Sequence, residues 1–202
     1  MSDSWPRFWF EPWRWTHPDW HRRYGEIQIP VHVSAARVLF GGWIGAFELE
    51  REWRSPVDPR WLQLVSLGPV ALREAAAVLG WIAMLRQPGG IAQVRGAESD
   101  ARVRCALRYR DVNCVQAHVG ESRDAYDVCA NGLLLLHRAA QMQWPDIARR
   151  LAMMLAPASQ EDHDAALTIA RIDVARCLSV ALAAVRHIGA APTVAADIEP
   201  SA

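Results

Sequence analysis

Apolar residues recur three and four positions apart between Pro69 and about Arg86, whereas Arg73 and Glu74 point away from them. This spacing matches the 3.6-residue period of an α-helix and predicts an amphipathic helix over the segment. Pro88-Gly89-Gly90 follows, a combination that ends helices. We therefore expect one long core helix near the middle of the chain.

A second strongly apolar stretch predicts a pair of helices. Ser122 is a suitable N-cap for a helix that ends near Gln143 and contains the continuous run Leu133 to Leu136. Because that run leaves no polar face, we expect this helix to lie at the centre of the fold. Trp144-Pro145 leads directly into a helix from Asp146 to Leu155, so the two helices are expected to form a hairpin.

An apolar helix is predicted from about Ala35 to Arg51, with Ser34 as its N-cap. Its buried face would contain Val38, Leu39, Trp43 and Phe47. Three glycines weaken this helix but permit close packing against another one: Gly41, Gly42 and Gly45.

Shorter helices are predicted where capping residues precede apolar positions. Asp58-Pro59 is typical of the start of a helix that ends near Ser66, and Ser99-Asp100 of one that ends near Tyr109. Between Asp111 and Glu121 the pattern fits a helix and a strand equally, so both remain open.

The last predicted helix begins near Ser159, which with Asp162 resembles a capping box that has Asp in place of Glu, and ends at His187 or Ile188. Its apolar seam repeats every seven residues through Leu167, Val174, Ala181 and Ile188. Gly189 is a natural C-cap for this helix.

Together these elements predict an all-α fold, a single compact domain of about six to eight helices over residues 34–189. Residues 1–33 are expected to form an extended, tryptophan-rich segment packed on that core, since Pro30 restricts the alternating stretch Ile27 to Val33 to extended chain. Residues 190–202 are expected to form a disordered tail.

Five of the ten tryptophans lie within the first twenty residues. So much aromatic area must be buried, either against the protein's own helices or against a partner. A hydrophobic lid over the core and an anchor for another protein are both consistent with the pattern, because tryptophan is common at binding hot spots. Candidate protein-binding residues in this segment are Trp13, Trp15, His17 and Trp20.

Composition excludes several classes of function. The 22 basic residues balance 22 acidic ones, so no net field favours nucleic acid or an anionic membrane. All the basic residues are arginine, which rules out a phosphate-loop lysine and a lysine Schiff base. No apolar stretch reaches the roughly eighteen residues of a membrane span, and no secretory signal opens the chain. We therefore expect a cytoplasmic protein without direct membrane insertion.

Catalytic and metal-binding patterns are weak. Cys114 and His118 would share a helix face, but no oxyanion-hole glycine motif lies nearby. His17 and His21 are four residues apart, yet a closed metal site needs further ligands. We expect His17 instead to fix a turn through a backbone hydrogen bond, and the acidic residues of Glu161-Asp-His-Asp164 to favour a helix start. The sequence thus predicts no enzyme, no cofactor and no metal.

The densest basic cluster comprises Arg102, Arg104, Arg108 and Arg110. A solvated face is the simplest interpretation, an acidic protein partner is the next, and the balanced net charge disfavours nucleic acid. Arg104 and Arg108 are therefore candidate protein-binding residues. Arg149 and Arg150 are interpreted as solvated.

Three stretches resemble the SctK (YscK-like) family of type III secretion proteins. The N-terminal pattern Phe8-x-Phe10-x-Pro12-x-x-Trp15-x-His17-Pro18-x-Trp20 is similar to the opening of that family. Leu67 to Gly80 is similar to its central leucine-rich helix. Gly132 to His137, followed by Asp146 to Leu155, is similar to its C-terminal helical hairpin, whereas Ile91 to Glu121 departs most from the family.

The resemblance implies a non-enzymatic structural adaptor in the sorting platform of a bacterial injectisome, docked at the cytoplasmic face of the inner-membrane apparatus. Such proteins link the inner-membrane ring protein SctD to the pod protein SctQ, and indirectly to the stator SctL and the ATPase SctN. Two other classes stay open. A helical type III secretion chaperone or other protein-binding module would hold an extended client in a groove, and an enzyme would need a cleft where acids and bases converge.

Overall fold

The computed structural model describes residues 4–23, 32–94, 96–97, 99–119, 127–157 and 167–189. Within these ranges the chain forms ten α-helices, one 3-10 helix at Pro12–Arg14 and a two-stranded sheet. The helices are α1 (Ser4–Phe10), α2 (Pro18–Arg23), α3 (Val33–Phe47), α4 (Arg60–Ser66), α5 (Pro69–Leu85), α6 (Gly90–Gln93), α7 (Ala101–Tyr109), α8 (Val128–Gln143), α9 (Pro145–Ala152) and α10 (Val174–Ile188). The strands are β1 (Val115–Val119) and β2 (Leu167–Ile172). The all-α class expected from the sequence is confirmed.

Helices α5 and α8 form the centre of the fold, and their backbones touch at two glycines. A Cβ atom on Gly132 would lie 1.6 Å from the carbonyl oxygen of Ala76, and one on Gly80 would lie 1.9 Å from that of Val128. Only glycine therefore allows this close approach. The run Leu133 to Leu136 is buried on all sides, which confirms the central position predicted for it.

The remaining large helices pack around this pair. α7 and α10 contact α5, whereas α9 contacts α8 through the hairpin that the sequence predicts. Trp144 ends α8 and Pro145 occupies the first turn of α9. Amide groups in the first turn of a helix have no hydrogen-bond partner within the helix, so a proline there costs no helical hydrogen bond. α7 and α9 consequently lie on different members of the central pair.

The last helix is shorter than the sequence predicts. Leu167, the first residue of the expected seam, belongs to β2, which pairs antiparallel with β1. The helix starts only at Val174, where the Asp173 side chain accepts a hydrogen bond from the backbone amide of Arg176. Thr168 and Ile169 are β-branched and favour a strand, so the seven-residue repeat before Asp173 was misleading.

The strand β1 resolves the ambiguous stretch after Asp111. Its register joins Val115 to Ile172 and Val119 to Leu167, with an irregularity between Gln116 and Ala117. Cys114 lies just before this strand, so the helix face on which Cys114 and His118 would have met does not form.

Residues 4–23, the described part of the N-terminal segment, are largely helical rather than extended. Pro18 opens α2 and Pro12 opens the 3-10 helix, positions at which proline's fixed φ is compatible with a helix. The sequence missed these short helices because aromatic packing stabilises them more than any intrinsic propensity does. Residues 24–31, which include Pro30, lie outside the described part of the chain.

Helix α3 forms as expected but ends earlier. Glu48, with φ 51°, closes it in the left-handed conformation. His32 stands at the N-cap position, so Ser34 lies inside the helix. Trp43 and Phe47 are buried, whereas Val38 is 78% exposed, contrary to its predicted place on the buried face. Among the described residues, the side of α3 that bears Val38 is thus left uncovered.

Aspartates start several helices. Asp100 caps α7 as predicted, since its side chain accepts a hydrogen bond from the amide of Arg102. Asp58 accepts one from the amide of Arg60, but α4 starts one residue later than predicted, with Pro59 rather than Asp58 at the N-cap position. α8 starts at Val128, capped by Asp127. The other expected cap, Ser122, the capping box from Ser159 and the tail 190–202 lie outside the described residues.

Among the described residues no single helix has the length and apolar character needed to cross a bilayer. α4 and α5 meet those criteria only as a pair, and the chain bends by 119° between them.

Candidate protein-binding surfaces

The tryptophans of the N-terminal segment pack mainly on the protein's own helices. Trp9 is fully buried, with its ring stacked on that of Trp144 at a centroid separation of 6.2 Å. Trp13 and Trp15 are 3% and 5% exposed. Trp15 meets Phe8 edge to face at 4.5 Å. Of the two interpretations, the lid over the core describes these rings, so Trp13 and Trp15 offer little surface to a partner.

Arg150 fastens this segment to α9. Its guanidinium donates hydrogen bonds to the carbonyl oxygens of Trp9 at 3.3 Å, Asp146 at 3.2 Å and Glu50 at 2.8 Å. The side chain is buried, which corrects its interpretation as solvated. Burial lowers the pKa of Arg150 to about 10, still well above neutral pH. Three chain segments thus converge on one charged group.

His17 and His21 both bond within the N-terminal segment. The Nδ1 atom of His17 accepts a hydrogen bond from the amide of Asp19 at 3.3 Å, so His17 fixes the turn before α2 as the sequence predicts. The Nε2 atom of His21 lies 2.9 Å from both the Thr16 hydroxyl and the Trp13 carbonyl oxygen. The two imidazoles therefore serve separate local contacts.

Trp20 lines a cleft of about 420 Å³ between the end of α3 and α9, which we call the apolar cleft. Ala46 and Phe47 form one wall and Met153 forms another. Trp20 is half-buried, and its indole Nε1 donates a hydrogen bond to the carbonyl oxygen of Leu155 at 2.8 Å. Its ring meets that of Phe47 edge to face at 5.3 Å. Trp20 is thus the predicted aromatic residue whose side chain borders an open surface.

A charged pair borders the apolar cleft. Arg149 lies 2.8 Å from the carboxylate of Glu48, and both side chains are largely exposed. Arg149 therefore agrees with its interpretation as solvated. An apolar floor with a charged margin resembles the core-and-rim arrangement of protein interfaces.

Arg104 and Arg108 line a second cleft, of about 210 Å³, which we call the basic cleft. They project from successive turns of α7, and His187 near the end of α10 forms the opposite side. The ring of His187 stacks on Tyr109 at 6.0 Å. The structure therefore joins the two predicted arginines to a histidine that is distant in sequence.

The four arginines of the predicted cluster divide into two groups. Arg102 pairs with Glu74 at 2.6 Å, which raises the pKa of Arg102, and Arg110 lies 3.7 Å from Asp111. Arg104 donates to the backbone carbonyl of Ser99. Among the described residues, those that line the basic cleft include no carboxylate. Within the predicted cluster of four, Arg102 and Arg110 thus lie beside carboxylates, and Arg104 and Arg108 line the basic cleft.

Sequence reasoning missed His187, Met153 and Arg150. His187 lies in the last turn of α10 and Met153 directly follows α9, and no sequence spacing connects them with α7 or with Trp20. Arg150 follows another arginine, and arginine is mostly exposed in proteins. Its place three residues after the buried Ile147 was the available signal for an inward side chain.

The cysteines are free thiols, and three of the four are buried. The Sγ atom of Cys177 donates to the carbonyl oxygen of Cys114 at 3.2 Å. Hydrogen bonding with the Cys114 thiol, together with burial, raises the pKa of Cys177. Cys129 is half-buried, and desolvation raises its pKa to about 11. Within the described ranges no three His, Cys, Asp or Glu side chains gather as a metal site would require. Residues 161–164 are outside those ranges.

Comparison with protein-family models, with curated proteins and with solved structures gives no match to this chain.

Proposed function

We propose that the protein is a non-enzymatic adaptor in the cytoplasmic sorting platform of a type III secretion injectisome. It would link the cytoplasmic domain of an SctD-like inner-membrane ring protein to an SctQ-like pod protein, with SctL-like stator and SctN-like ATPase further inward. The N-terminal aromatic pattern carries this proposal, because it has uncommon residues at fixed spacing that resemble the SctK family.

The presence of two chemically different surfaces on one core supports an adaptor. The apolar cleft lies between α3 and α9, and α9 packs on α8. The basic cleft lies between α7 and α10, and both pack on α5. Since α5 and α8 touch backbone to backbone, the α9 wall of the apolar cleft and the two helices of the basic cleft are held in a fixed relation. A linker between two proteins requires that property.

The mechanism is geometric. Each partner contact alone is modest, but many copies arranged around a ring raise the effective concentration of every further contact. A rigid helical block holds the two partners at a fixed separation and turns over no substrate.

Binding by purified proteins from the same bacterium tests the proposal. Ala46→Glu places a charge in the apolar cleft, and Arg104→Glu with Arg108→Glu reverses the basic cleft. We expect each variant to weaken one of the two partners by about tenfold or more and to spare the other. Ala35→Glu, an exposed change on the same helix as Ala46, is the matched control.

Absence of binding to both the SctD-like and the SctQ-like protein would refute the adaptor. A stable one-to-one complex with an exported protein would instead favour a secretion chaperone. Neighbouring genes for a secretion ATPase and its stator would add independent support.

A further inference from the structure

We infer that the basic cleft binds an acidic peptide segment of a partner protein through carboxylates held by Arg104, Arg108 and His187. This inference rests on the proposed adaptor function, because it names the chemistry of one of its two partners.

The charges around the cleft point to an anionic ligand. Arg104 and Arg108 are exposed and lie one helical turn apart, so their guanidinium groups can meet one acidic segment together. In the described part of the chain no carboxylate lies within 4 Å of Arg108, whereas Arg102 on the same helix is paired with Glu74. Arginine binds carboxylates bidentately, which gives geometric specificity as well as attraction.

The other lining groups do not oppose an anion. Cys105 is 5% exposed, and burial raises its pKa, so it stays a neutral thiol. Ala101 is small and apolar and keeps the cleft open beside Arg104. The stack on Tyr109 holds the His187 ring against the opposite wall, where it can donate to a carboxylate.

The size of the cleft favours peptide side chains over a whole metabolite. Pockets for small organic ligands measure about 300–1,000 Å³, and this cleft measures about 210 Å³. A glutamate or aspartate side chain can enter it while the peptide backbone stays on the surface. A balanced net charge gives no long-range attraction for nucleic acid, so local pairing with a peptide is the better fit.

Fluorescence anisotropy with the full chain tests the inference. The probe is a fluorescein-labelled peptide of alternating glutamate and glycine, and the same peptide with glutamine is its control. We expect the glutamate peptide to bind at least about tenfold more tightly than the glutamine peptide, and salt to weaken the binding strongly.

Variants locate the binding. Arg104→Gln with Arg108→Gln should weaken the glutamate peptide by about tenfold or more, and His187→Ala by a smaller factor. Arg54→Gln, the same charge loss at an exposed residue outside the cleft, should leave binding unchanged. Circular dichroism verifies that each variant is folded.

Three outcomes would overturn the inference: equal affinity for both peptides, no effect of the double arginine variant, or displacement of the peptide by equimolar single-stranded DNA. These outcomes are separable from failure of the adaptor proposal. If the peptide binds the cleft but neither the SctD-like nor the SctQ-like protein binds, the adaptor proposal fails alone. If both proteins bind and the peptide does not, the inference fails alone.

Discussion

The guanidinium carbon of Arg150 lies 3.8 Å from the centre of the Trp9 ring, so a buried cation sits directly over an aromatic face. The same guanidinium donates to three backbone carbonyl oxygens from α1, the chain after α3 and α9. A desolvated cation over tryptophan is more strongly attracted than an exposed one. The N-terminal segment is therefore held by directional hydrogen bonds and a cation–π contact as well as by apolar packing.

Arg150→Met should lower the free energy of unfolding by about 3 kcal/mol, because it leaves buried carbonyl oxygens without a donor. Arg150→Lys should recover only part of this loss, since an ammonium group cannot reproduce the planar fan of guanidinium donors. Urea denaturation provides the measurement. Arg149→Met, the exposed neighbour, is the control and should cost less than about 0.5 kcal/mol; equal losses at both positions would contradict the role of Arg150.

Gly132→Ala should destabilise the protein by about 3 kcal/mol or more, because its methyl group would overlap the Ala76 carbonyl oxygen and force α5 and α8 apart. Gly42→Ala is the matched control, since nothing lies within 4 Å of a Cβ atom there. That change should be neutral or should stabilise α3 by about 0.5–1 kcal/mol. Thermal unfolding of both variants checks the contrast, and similar melting temperatures would argue against the close crossing.

Asp173→Ala should cost about 1 kcal/mol through loss of the α10 cap, whereas Asp173→Asn should keep most of the stability. The pair separates capping from charge. Asp111→Ala, at a highly exposed side chain, is the control and should be nearly neutral. Chemical denaturation measures the free energy of unfolding of the three variants. An unchanged free energy for Asp173→Ala would contradict a helix that starts at Val174 with Asp173 as its cap.

Cys129 should react slowly with iodoacetamide at pH 8, at least about 100-fold more slowly than in the urea-unfolded chain, because burial raises its pKa to about 11. The Cys129 thiol therefore stays protonated to a higher pH in the folded protein than in the unfolded chain. The free energy of unfolding should therefore decrease as pH rises above about 8.5. Cys129→Ala should remove the part of this pH dependence that comes from Cys129. Mass spectrometry of labelled peptides identifies the site, and rapid labelling of folded Cys129 would contradict the assignment.

The sequence predicted elements whose signal is local and repeated. The period from Pro69 to Leu85, the leucine run of α8 and the Trp144-Pro145 turn all specify helices without reference to distant residues. The strand β2 escaped prediction because its partner is far away in sequence, and because Leu167 continued a seven-residue repeat by coincidence. Pairing between distant segments leaves no local period.

The candidate surfaces were likewise predictable only where their residues are close in sequence. Arg104 and Arg108 share a helix face and could be grouped from their spacing alone. His187 could not, because only the packing of α10 on α7 brings it to them. For the tryptophans, composition predicted that the rings are buried but not which residues cover them. The contacts with Trp144 and Arg150 supply that answer.

The contact between Trp9 and Arg150 joins residues 141 positions apart. During translation the aromatic segment emerges from the ribosome long before α9 does, and its rings stay without their final partners over that interval. Exposed apolar surface of this kind attracts holdase chaperones and favours aggregation when synthesis outpaces folding. Yield in a bacterial expression host should consequently respond to trigger-factor levels and to growth temperature.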